Sequence, residues 1–60
     1  MFTANIEKLD DRAFPQSWDA EDALEANRAY YQRLAEEAGA GNPYVKEDPQ
    51  LGTYFIVAER

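Results

Sequence analysis

Cysteine and histidine are absent from this sequence, and serine occurs once, at Ser17. Without cysteine there is no disulfide to staple a small fold and no thiolate to act as a nucleophile. Without histidine the commonest metal ligand and general base is missing. A lone serine then has no base to activate it. Long apolar runs are missing too. The longest, residues 54–58, falls far short of the roughly 20 residues that cross a bilayer. No basic stretch followed by an apolar one opens the chain, so no signal peptide is read, and no Asn-x-Ser/Thr site occurs. These absences predict a soluble, cytoplasmic protein with no cofactor and no metal site.

Positive charge is scarce. Six Lys and Arg stand against twelve Asp and Glu, a net charge of −6. The imbalance is concentrated between residues 7 and 25, where Glu7, Asp10, Asp11, Asp19, Glu21, Asp22 and Glu25 face only Lys8 and Arg12. Such a field repels nucleic acid and anionic lipid and attracts basic protein surfaces. Direct nucleic-acid binding and membrane binding are therefore not expected. Solubility is the competing explanation of the charge.

Sixty residues make one domain, 1–60, and a chain of this length buries only about 60% of the surface it exposes when unfolded. Its stability must come from a small core, from self-association or from a partner. Residues 17–38 read as one long amphipathic helix. Ser17 is the expected N-cap, Pro15 disfavours backward extension, and Asp19, Glu21 and Asp22 complement the positive end of the helix dipole. Ala20, Leu24, Tyr31, Leu34, Ala35 and Ala38 keep a three-and-four rhythm that defines the buried stripe. Asn27 lies on that stripe and interrupts it. Glu25, Arg28, Gln32, Arg33, Glu36 and Glu37 fall on the solvent side. Gly39 is placed to end the helix in the left-handed region.

Residues 2–7 alternate, with Phe2, Ala4 and Ile6 on one side, as in a half-buried strand. Residues 43–47 read as a short strand, residues 48–52 as a turn, and residues 53–58 as the strongest strand in the chain. Direction counting places the third strand between the other two, antiparallel to both. The expected fold is therefore α+β: a two-layer β-α-β-β domain whose three-stranded antiparallel sheet, order 1-3-2, carries the helix on one face. The third strand is apolar on both faces, and one helix covers only one of them. Either the second face, with Phe55 and Val57, meets a second copy or a partner, or the connection 8–16 covers it with Leu9 and Phe14.

Chemistry finds few parts here. The pairs Asp10–Asp11 and Glu36–Glu37 lack a cleft to separate their acidities. Gly39-Ala40-Gly41 follows a helix, whereas phosphate cradles precede one. The cluster from Asp19 to Asp22 lacks the spacing of a calcium loop. The chain is not expected to be an enzyme. The alternative is binding. Asp10, Asp11, Asp19, Glu21, Asp22 and Glu25 would supply charge to a protein partner with a basic surface, and Trp18, Tyr30 and Tyr31 would supply anchoring area. Trp18 has a competing role as a lid on the core. In size, charge and fold class the chain resembles phage-encoded inhibitors of host defence, the anti-CRISPR and anti-restriction proteins. The resemblance implies a non-enzymatic acidic inhibitor that competes for a nucleic-acid-binding surface. The second expectation is a self-associating interaction module, a homodimer built on Phe55 and Val57.

Overall fold

The β-branched and aromatic run near the end of the chain becomes the central strand of the sheet. The computed structural model describes residues 6–60. In chain order these form β1 (Ile6–Lys8), α1 (Ser17–Ala26), α2 (Arg28–Glu37), β2 (Tyr44–Asp48) and β3 (Thr53–Glu59). The sheet order is β1-β3-β2, and β3 is antiparallel to both neighbours. The architecture is the expected α+β fold with the 1-3-2 sheet. Of the predicted first strand, residues 2–5 lie outside the described residues, and Ile6 and Glu7 belong to β1.

Beyond β1 the chain stays on the same edge of β3. Leu9 donates its amide to the Ile56 carbonyl at 3.0 Å. Residues 10–13 leave the ladder, and Phe14 then pairs with Tyr54 through two backbone hydrogen bonds of 2.9 and 2.7 Å. This return swings Phe14 and Leu9 onto the helix side of the sheet. There they join Ala20, Leu24, Tyr31 and Ile56 in the core. The connection therefore does not cover the second face with Leu9 and Phe14.

The predicted long helix is divided at Asn27, whose φ of −124° and ψ of 32° are not helical. Its backbone amide keeps the helical bond to the Ala23 carbonyl at 3.0 Å, and its side-chain Nδ2 donates to the same carbonyl at 3.1 Å. A side-chain donor of this kind competes with the helix for backbone partners. The side chain that interrupts the apolar stripe is thus the hinge between two helices, and it is exposed. α1 lies against β2 and β3, and α2 buries Tyr31 and Ala35. Ser17 is the first helical residue rather than the cap. Gln16 takes the N-cap position, and no side chain caps the first turn.

Two glycines end elements as their conformations require. Gly39 has φ 70°, its amide donates to the Glu36 carbonyl, and the Ala40 amide reaches back to Ala35 at 2.8 Å. That pair of bonds is a Schellman closure of α2. Gly52, with φ 65°, closes the β2–β3 hairpin by donating to the Asp48 carbonyl at 2.8 Å.

Candidate partner-binding surface

The outer side of α1 repeats the core spacing on the solvent side. Trp18, Glu21, Asp22 and Glu25 stand at i, i+3, i+4 and i+7, so they form one stripe along the helix. All four are exposed, and Trp18 is the most open of the described aromatic residues at 60%. The lid role for Trp18 is therefore overturned. Its first-turn position is opposite Ala20 and Leu24, and its indole N–H donates to the Gln16 side-chain oxygen instead of entering the core. Asp19 sits at the edge of the stripe, half-buried in the first turn. Glu25 ends it by accepting from Arg28 at 2.9 Å.

The scarce cations are mostly engaged elsewhere. Lys8 pairs with Asp48 at 3.3 Å, Arg60 with Glu7 at 2.8 Å, and Arg12 lies over the Phe14 ring. Among the described residues, Glu21 and Asp22 make no ion pair. Their charge is left to the solvent side.

The other candidates divide. Asp10 is half-buried, its Oδ1 accepts the Arg12 amide at 3.2 Å, and it is turned to Tyr31 rather than to the α1 stripe. Asp11 is exposed beside it. Tyr30 is exposed at the start of α2 and meets Tyr31 edge-on, with 5.2 Å between ring centroids. Tyr31 is fully buried, so it serves the core and offers no ring to a partner. Its hydroxyl lies in the field of Asp10 and Arg12 without a well-formed hydrogen bond to either. Burial first, and then the Asp10 carboxylate, push this phenol above its ordinary pKa, against a smaller opposing pull from Arg12.

Phe55 and Val57 lie on the face away from the helices and are nonetheless buried, at 5% and 3% exposure. Lys8 and Tyr44 flank Val57 across the sheet, and Lys46 stands opposite Phe55. The stems of long cationic side chains cover apolar surface while their heads stay wet. Apolar self-association through Phe55 and Val57 thus has little exposed area to draw on. Sequence reasoning missed Lys8 and Asp48 as partners, because 40 residues separate them and only the register of the sheet brings them together.

The polar groups at the hairpin end are ordered. Asp48 Oδ1 accepts the amides of Gln50 and Leu51, at 3.0 and 3.4 Å. Partial desolvation raises the Asp48 carboxyl, but these amides and the Lys8 ammonium outweigh it and hold the group below the ordinary carboxylate value. The Tyr54 hydroxyl faces Glu47 and Ser17, and the hydrogen bond and charge of Glu47, with burial, raise its pKa. Tyr44 is raised by desolvation and by Glu59, which accepts its hydroxyl at 3.3 Å.

No protein family, curated protein or solved structure matches the chain. The reading of this surface therefore rests on its own chemistry. Among the described residues no group of three or more acidic side chains is gathered as a metal site, and no helix is long and apolar enough to cross a membrane.

Proposed function

We propose that this chain is a non-enzymatic protein-binding module, a small acidic inhibitor that competes for the basic, nucleic-acid-binding surface of a partner protein. The anti-CRISPR and anti-restriction inhibitors, which it resembles in size, charge and fold class, act in this sense. The observation that carries the reading is the α1 stripe: Glu21, Asp22 and Glu25 in line behind an exposed Trp18. Carboxylates three and four residues apart on a helix stand about 5–6 Å from one another. A nucleic-acid strand presents its phosphates in a comparable row, one charge per about 3.4 Å of axis. A basic groove that accepts the phosphates meets a row of negative charge on α1. The carboxylates steer the encounter, and Trp18 supplies desolvated area at its end.

The test is capture of partners by the tagged chain, washed at about 0.1 M and about 0.5 M salt, where the Debye length falls from roughly 10 Å to under half that. The reading predicts a nucleic-acid-handling protein that is held at low salt, depleted at high salt, and blocked from its nucleic acid while held. Retention that does not change with salt contradicts it.

A further inference from the structure

The face of the sheet turned away from the helices holds a concavity of about 250 Å³. Phe55 and Val57 form its apolar floor. The Lys8 ammonium sits in it, 3.7 Å from the Phe55 ring centroid and 3.3 Å from Asp48 Oδ2. Asp48 is not free to turn away, because its other oxygen is fixed by the two hairpin amides. An aromatic face beside a fixed carboxylate oxygen is a pair of groups that binds cations. Its present occupant is held loosely. The Lys8 side chain is 45% exposed and comes from a strand of only three residues. Exposed pairs of this kind are weak and exchange readily.

We infer that this groove receives a lysine or arginine side chain from a basic polypeptide segment, and that Lys8 is the internal stand-in that the segment displaces. The inference rests on the reading that the partner is basic. The charges favour the exchange. Once Lys8 swings out, Asp48 loses its ion-pair partner, Glu47 points to the helix side with Tyr54, and the whole chain, at −6, draws cations inward. The groove and α1 lie on opposite faces of the sheet. The groove therefore suits an extended basic arm, not the same rigid surface that meets the α1 stripe.

The experiment is an amide-shift titration of the whole chain with a blocked alanine pentapeptide carrying one central lysine, and with its glutamate counterpart. Saturable shifts at Lys8, Asp48 and Phe55 with the lysine peptide alone are the expected result. Lys8→Met keeps the covering stem and removes the competing ammonium, so it tightens binding about fivefold. Asp48→Asn keeps the turn acceptor and loses the charge, so it weakens binding about fivefold. If Lys8→Met does not fold, Phe55→Leu replaces it as the test and weakens binding about threefold. Shifts confined to residues 18–25 overturn the groove while leaving a basic partner for α1. The absence of any shift also overturns the groove, and the α1 reading then stands or falls on the salt-dependent capture. An affinity unchanged by the variants that fold overturns the groove alone.

Discussion

Tyr31 is where one side chain says most about the core. Its ring is fully enclosed, yet its hydroxyl is buried without a hydrogen-bond partner. A buried hydroxyl in that state contributes little or opposes folding. Urea unfolding should find Tyr31→Phe unchanged or more stable by up to about 1 kcal/mol. Tyr31→Ala should lose about 3–5 kcal/mol, because it opens a large cavity. The titrating groups set the pH limits. Asp48 has a lowered folded pKa, so its contribution is present above the ordinary value of 3.8 and is lost as pH falls through the folded value. Tyr31, Tyr44 and Tyr54 have raised pKa values, so their contribution is present below 10.0 and is lost as pH rises through the folded values. Stability measured against pH should fall at both ends, and Asp48→Asn should flatten the acid limb alone. At this scale the sequence misled twice. Trp18 was expected to be a lid because it is large and apolar, but its position opposite Ala20 and Leu24 on α1 sends it outwards. Ser17 was expected to cap the helix, but it lies one residue inside it.

The elements were more legible than their joints. The β-branched run of β3, the hairpin chemistry around Gly52 and the stop at Gly39 are local signals, and each reads directly from the chain. Both glycines have positive φ and open space around them, so a methyl group would meet backbone strain alone. Thermal unfolding of Gly39→Ala and Gly52→Ala should each show a loss of about 1 kcal/mol. The division of the helix was visible only as an unexplained polar residue on the stripe. Periodicity continues unbroken through Asn27, because the spacing of Leu24, Asn27 and Tyr31 is helical. What divides the helix is the non-helical backbone at Asn27, whose side-chain Nδ2 also donates to the Ala23 carbonyl, and spacing does not encode it. The groove on the second face was illegible for a different reason. Lys8, Phe55 and Asp48 meet through strand register, and none signals the others along the chain.

The whole molecule is a slab, 15 Å through its thinnest dimension, with a negative helix face on one side and a cation-covered sheet on the other. Because Phe55 and Val57 are covered within one chain, self-association is not needed to bury them. The melting temperature should stay constant over about a hundredfold range of concentration. A rise with concentration would favour the homodimer built on Phe55 and Val57 instead. The net charge and its clustering were plain in the sequence, but the alignment of Trp18, Glu21, Asp22 and Glu25 into one exposed stripe required the helix to be in place. The central claim is that this stripe occupies a partner's nucleic-acid site. The most direct measurement is competition. The captured partner is bound to labelled nucleic acid, and the wild-type chain is titrated against the triple variant Asp19→Lys, Glu21→Lys, Asp22→Lys. The account predicts that the wild-type chain displaces the nucleic acid, less well as salt rises, and that the folded variant does not. Equal displacement by both chains, or binding of the wild-type chain without displacement, would contradict it.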